Sequence, residues 1–220
     1  SALRSFYRFG LTRGYVTKNP ARGIVGPKRS RPLPQFLRES EMNRLLDDMP
    51  VGDSYRELLA YIIVLVFYST GMRLAELVGL DDDNIDFDTR VIKVLGKGSK
   101  QRLIPFADEL EEGLRIYVAR RDAEVVRKDK AFFVDQRGQR VKRGAVQNSV
   151  RASLAKVTSM KKRSPHVLRH TFATAMLNNE AGLESVKKLL GHESLSTTEI
   201  YTHTTFEQLK KIYDKAHPRA

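Results

Sequence analysis

The longest apolar stretch in the chain, Leu58 to Tyr68, runs 11 residues without a charge and ends at Thr70-Gly71. It is too short to span a bilayer and predicts a core helix over 54–70. Other segments repeat at helical spacing. Residues 2–15 carry Leu3, Phe6, Tyr7, Phe9 and Leu11 as one broad stripe. Ser40 is placed to cap a helix over Glu41–Met49, with Glu41 at its positive end. MRLAEL after Gly71 and the segments 108–126, 143–158, 165–179, 183–190, 197–203 and 206–216 read as further helices. Between Asn84 and Phe106 the period falls to two. NIDFD, RVIKVL and QRLIPF, separated by Asp88-Thr89 and Gly96-Lys97-Gly98-Ser99, predict a small three-stranded antiparallel sheet. The expected class is mainly α with that one sheet, an α+β domain. Gly14, Pro20, Gly23, Gly26, Pro27, Pro32 and Pro34 predict an extended linker ahead of a compact domain starting near Phe36. The stripe on residues 2–15 has no partner of its own and reads as the end of a preceding domain.

Charge changes this picture. The 220 residues carry a formal +13, which points to a polyanionic partner, nucleic acid or an anionic membrane surface. From Ser1 to Arg38 there are nine Lys or Arg and no Asp or Glu. A solvated basic tail is the bland reading. The favoured one is an arm in which Arg22, Lys28, Arg29 and Arg31 neutralise DNA phosphates whatever the base sequence. With no Cys there is neither a disulfide nor a thiolate zinc site, and no signal-peptide core leads the chain. A cytoplasmic protein without a membrane span is expected.

The candidate chemistry concentrates in Ser164–Thr202. Ser164-Pro165 opens a helix that puts His166, Arg169 and His170 on one face. Two His at this spacing can bind zinc, but HVLRH lacks the Glu of HExxH and sets a cation between the ligands, so no metal is expected. His166 and Arg169 near a helix N-terminus suit an anion instead, while His170 reads as structural. His192 follows the helix stop at Gly191, and Tyr201 falls in the first turns of a helix begun by the capping-box pattern Ser196-Thr197-Thr198-Glu199. Upstream, Arg73 has Glu76 on the same face. This is either a surface ion pair or an Arg held by Glu76 and aimed at a phosphate. Lys97 sits at a hairpin tip, where Gly-Lys-Gly-Ser lacks the spacing of a phosphate-cradling P-loop. On a mobile hairpin it can still reach a groove and protonate a leaving alkoxide. Lys100 and Arg102 beside it are expected to hold the DNA backbone.

TGMRLAEL, GKGSKQR, HVLRHTFAT and LLGHESLSTTEIYTH, in this order, resemble the signature set of the tyrosine recombinases of the phage integrase family, particularly the Xer-type catalytic domain. The resemblance covers about Phe36 to the C-terminus. Ala175-Met176 departs from it, where many relatives carry a His outside the catalytic set. It implies a catalytic domain at 36–203. Before it come the last helix of a truncated helical core-binding domain and a basic linker (1–35), and after it a C-terminal helix (204–220) exchanged with a neighbouring protomer. A last helix packing on its own domain is the alternative. It implies site-specific DNA recombination, with Tyr201 attacking the scissile phosphate to give a 3′-phosphotyrosine. Arg73 and Arg169 would clamp the phosphate oxygens and Lys97 act as general acid. His166 would assist proton transfer from Tyr201, His192 would hydrogen-bond the phosphate, and Glu76 would support Arg73. Double-stranded DNA is the implied partner, bound by a homo- or hetero-tetramer on two sites, without cofactor, metal or ATP. A type IB topoisomerase, using nearly the same residues as a monomer, and a DNA-binding module without catalysis are the competing classes.

Overall fold

Ser54 opens the central helix of the domain. Its hydroxyl accepts from the Glu57 amide at 3.4 Å while the Glu57 carboxylate accepts from the Ser54 amide at 3.1 Å, a reciprocal cap that satisfies two donors a helix start leaves orphaned. In the computed structural model, which describes residues 2–24, 35–47, 54–96, 101–191 and 203–220, nine α-helices are seen among these residues. They are α1 (Ala2–Thr12), α2 (Glu39–Leu46), α3 (Tyr55–Thr70), α4 (Leu74–Val78), α5 (Asp108–Glu124), α6 (Arg143–Ala155), α7 (Pro165–Asn178), α8 (Leu183–Leu190) and α9 (His203–Ala216). The helix expected over 197–203 falls almost wholly outside the described residues.

The apolar run of α3 explains its position. Leu58, Ile62, Leu65, Val66, Phe67 and Tyr68 are all inaccessible, because α5, α6 and α7 pack around the helix. A helix apolar on every side is stable only when covered on every side. Two of its phenols find buried acceptors: Tyr55 Oη donates to Val134 O at 2.8 Å and Tyr61 Oη to Leu46 O at 2.7 Å.

β1 (Ile85–Asp86), β2 (Val91–Leu95) and β3 (Gln101–Pro105) form the expected antiparallel sheet in the order β1-β2-β3. Ile92 faces Ile104, and Val94 faces Arg102, on the inner side. Lys97 and Lys100, between β2 and β3 in sequence, lie outside the described residues.

Two details differ from expectation. The second helix starts at Glu39 with Arg38, not Ser40, in the cap position. The Glu41 carboxylate accepts from the Arg38 amide at 2.8 Å, and a carboxylate reaching back three residues fixes the start better than a hydroxyl one residue away. After α1 the chain does not run straight on. Tyr15 N donates to Gly10 O at 2.8 Å, and Arg4 Nε donates to Ala21 O at 3.1 Å. Residues 13–24 therefore fold back on α1, which leaves Leu3, Phe6 and Phe9 exposed. Contacts divide the chain into units 1–33 and 34–220.

The last helix lies on its own domain. Leu209, Tyr213 and Ala216 join Phe172, Met176, Leu189 and Leu190 in a second core between α7, α8 and α9. Tyr213 Oη donates to Ser69 O at 3.0 Å, and His217 Nε2 sits 3.3 Å from Tyr68 O. Arg219 then ties the terminus to Glu109 at 2.7 Å and Asp47 at 3.1 Å. His217 is stacked on Tyr213, and burial pushes its imidazole down to about 4. The unfolded chain, with His near 6.5, binds the extra proton first as pH falls, so this stability is complete above pH ~6.5 and is lost toward pH ~4. We expect about 2 kcal/mol of additional destabilisation at about pH 5. Urea unfolding at neutral and mildly acid pH checks it: His217→Asn should lack this increment, and an unchanged pH dependence would overturn the assignment.

Candidate active site

The site is built on two helix stops. Gly71 ends α3 at φ 59°, and Gly191 ends α8 at φ 65°. Both take the left-handed conformation that glycine adopts without a Cβ penalty. The last carbonyls of an α-helix have no acceptor role within it and carry the negative end of its dipole. At the end of α8 three successive carbonyls, the last that of the cap residue Gly191, are each met by a different arginine. Arg102 Nε donates to Leu189 O at 3.0 Å, Arg169 Nη2 to Leu190 O at 2.7 Å and Arg73 Nη2 to Gly191 O at 3.0 Å. Arg169 Nη1 donates to Gly71 O at 2.6 Å, so one guanidinium joins both helix ends.

Glu76 holds this cluster from below. Its Oε1 accepts from Arg73 Nη1 at 2.9 Å and from Arg102 Nη1 at 2.6 Å. Its Oε2 accepts from the Arg73 amide at 2.6 Å and from Arg102 Nη2 at 2.8 Å. Arg73 occupies the cap position of α4, where Glu76, three residues on, reaches back to its amide. Burial alone would raise the Glu76 carboxyl, but the Arg102 guanidinium and the Arg73 amide and side chain outweigh it and hold it below its ordinary value. Only 4% of the Glu76 side chain is exposed, against 44% for Arg73. The pair is thus a buried anchor and a half-open fork, not a surface ion pair.

Arg169 is 7% exposed. Burial, and then the charges of Arg73 and Arg102, bring its guanidinium down to about 10. It stays charged at neutral pH, in surroundings where an added anion would be electrostatically welcome.

His166, in the first turn of α7, is exposed, and its Nε2 lies 3.1 Å from His170 Nε2 with the rings edge to face. One nitrogen of the two must carry the bridging proton. Burial, His166 and Arg169 all lower the His170 value. His170, read as structural from the sequence, therefore shares a proton with the candidate proton-transfer residue. Among the described residues no group of three or more His, Asp or Glu gathers as a metal site.

Arg102 departs from its expected role. It was expected to hold DNA backbone, yet it is 6% exposed, with every guanidinium nitrogen committed to Glu76 or Leu189. The signal was available: Arg102 and Ile104 are two apart on a strand and so share its inner face. Arg22 is exposed in the segment after α1. Lys28, Arg29, Arg31, Lys97, Lys100, His192 and Tyr201 lie outside the described residues.

Residues 35–208 match the phage integrase family. The chain is 39% identical to tyrosine recombinase XerC of Chlorobaculum tepidum over 241 residues, covering all of this chain and 72% of that protein. It is also 39% identical to tyrosine recombinase XerC of Vibrio vulnificus, covering all of this chain and 69% of the relative. In structure it superposes on XerA recombinase with a TM-score of 0.65 at 30% identity, covering the whole chain and 75% of that structure. The integrase of mycobacterium phage Brujita shares the fold, with a TM-score of 0.69 at 23% identity over the whole chain and 70% of that structure. Among the described residues no helix is long and apolar enough to cross a membrane. With the arginine cluster in place and the family model covering most of the folded unit, the chain belongs to the phage integrase family, as a tyrosine recombinase.

Proposed function

We propose that this recombinase cuts and rejoins double-stranded DNA at specific sites through Tyr201, with Arg73 and Arg169 as the phosphate clamp. The observation that carries the reading is the meeting of those two arginines, distant in sequence, on adjacent carbonyls of Leu190 and Gly191. His192 follows at the next position, and Tyr201 comes 9 residues after it. Planar guanidinium forks bind two phosphate oxygens at once. Fixed in place beforehand, they stabilise the charge that develops on those oxygens as the phosphorus becomes five-coordinate.

The step balances without an external reactant. The Tyr201 Oη bonds to the scissile phosphorus and gives up its proton with help from His166. The P–O5′ bond breaks, and the leaving oxygen takes a proton from Lys97. His192 hydrogen-bonds the phosphate. A phenol of pKa about 10 is a weak nucleophile near neutrality, so it needs both the base and the cationic clamp. The resulting 3′-phosphotyrosine diester keeps the bond energy, and attack by another 5′ hydroxyl reverses the chemistry without ATP or a metal ion.

Arg22, Lys28, Arg29 and Arg31, with Lys100, supply sequence-independent backbone contacts. Exchange between two duplexes is proposed to involve a tetramer. There α9 would leave the cleft between α7 and α8 for a neighbouring protomer, giving up the buried positions of Leu209 and Tyr213.

The test is covalent capture. Incubated with a pool of nicked duplexes randomised in the arms around the nick, the protein should give an SDS-resistant adduct. Proteolysis and mass analysis should place the nucleotide on Tyr201. Absence of any adduct, or attachment to another residue, would overturn the mechanism.

A further inference from the structure

Arg102 reaches the site from β3, an element that supplies none of the groups proposed to touch DNA among the described residues. Its guanidinium bonds both oxygens of Glu76, the same two oxygens that hold the Arg73 side chain and amide. Its Nε bonds the Leu189 carbonyl, so it also grips the end of α8. Gly191 is shaped around it: a Cβ there would lie 3.1 Å from Arg102 Cδ and 3.2 Å from Nη1. Remove Arg102 and Glu76 keeps a single cation, while α8 loses one of the three arginine contacts that fix its final turn.

We propose that Arg102 is a positioning residue for strand cleavage: it sets Glu76, through Glu76 the fork of Arg73, and the α8 end from which the His192–Tyr201 segment departs. It acts through these groups and touches no phosphate itself. The proposal rests on the phosphate-clamp reading above. Planarity matters to it, because only a fork can bond two carboxylate oxygens and a carbonyl together.

The decisive variant is Arg102→Lys, which keeps a cation beside Glu76 but cannot make all three bonds. Melting should stay within a few degrees of the parent, and affinity for a duplex of arbitrary sequence within about threefold, since no phosphate contact is lost. Single-turnover adduct formation on the nicked-duplex pool should slow by about 100-fold, the scale on which slight misplacement of catalytic groups is felt. Amide hydrogen exchange over 183–191, measured without DNA, should rise by about tenfold as the α8 end loosens.

Unchanged cleavage together with unchanged exchange would overturn the proposal. So would a cleavage loss matched by an equal loss of affinity, the signature of a direct phosphate contact. Should Arg102→Lys fail to fold, Gly191→Ala presses on the same guanidinium from the other side with both ions retained. Its left-handed φ of 65° adds a backbone cost, so it is assayed well below its melting temperature, and the same split between cleavage and affinity is expected. The parent protein separates the two readings. If it forms no adduct, the clamp reading fails, while the exchange measurement still decides whether Arg102 fixes the end of α8.

Discussion

Replacing Arg169 by Lys should slow single-turnover strand cleavage by about 10²–10³-fold, with duplex affinity changed far less. The substitution keeps a positive charge, so the loss reports geometry. Arg169 spends one nitrogen on Gly71 O at 2.6 Å and another on Leu190 O at 2.7 Å, and no ammonium group can reproduce that spread while also facing a phosphate. Burial and the neighbouring charges of Arg73 and Arg102 already pull the Arg169 guanidinium down to about 10. A lysine there starts from a lower ordinary value, so the same surroundings remove part of its charge as pH rises toward alkaline conditions. The residual cleavage of Arg169→Lys should therefore decline with rising pH over a range where the parent keeps its clamp charged. Single-turnover rates across that range, measured beside filter-binding affinities, check both parts. A variant within threefold of the parent, or one whose cleavage loss is all affinity, would remove Arg169 from the clamp.

How much of this was legible in the sequence differs from element to element. The central helix was, because an apolar run ending in Thr70-Gly71 and opened by Ser54 leaves few alternatives to a buried helix with both ends marked. The sheet was, because the apolar period changes to two over Asn84–Phe106. The order of the motifs was enough to bring Arg73, Glu76 and Arg169 forward as a group, and they meet at the α8 end. Helix starts were read less well where a carboxylate, not a hydroxyl, makes the cap, as Glu41 does for Arg38. At Ser164 the cap position was read correctly, yet its hydroxyl makes no capping bond. Buried cations were the hardest to see. Arg121 lies in a charge-rich helix and nothing local distinguishes it from its exposed neighbours. Its burial depends on Asp82, 2.9 Å away, and on the Phe132 carbonyl, both supplied by other parts of the chain. Arg102 is hidden for a different reason: proximity to Lys97 and Lys100 in sequence suggests a shared role, whereas strand alternation turns it inward.

Gly71→Ala should cost about 3 kcal/mol of stability, from a left-handed φ that a Cβ resists and from overpacking of a closed core. The backbone there sits at φ 59°. An added Cβ would lie 2.5 Å from Phe172 Cδ1 and 2.7 Å from Leu190 Cδ2, and Phe172 is inaccessible with little room to turn. For a chain of this size the melting temperature should fall by about 6–12 °C. Gly144→Ala is the internal control: it lies in α6, and a Cβ there meets nothing within 4 Å. That substitution should raise stability by about 0.5–1 kcal/mol. The same geometry predicts a cost in activity beyond the loss of folded protein. Gly71 O is the acceptor for Arg169 Nη1, and Leu190 carries the carbonyl for its Nη2. The two atoms the new methyl strikes thus belong to residues that pack around the clamp or fix it directly. Even well below its melting temperature, Gly71→Ala should cleave about tenfold or more slowly, on the scale of a slightly displaced catalytic group. A variant that melts lower but cleaves at the parental rate when fully folded would mean that the two helix ends can shift together without moving Arg169. The clamp would then have to be positioned from the Glu76 side alone.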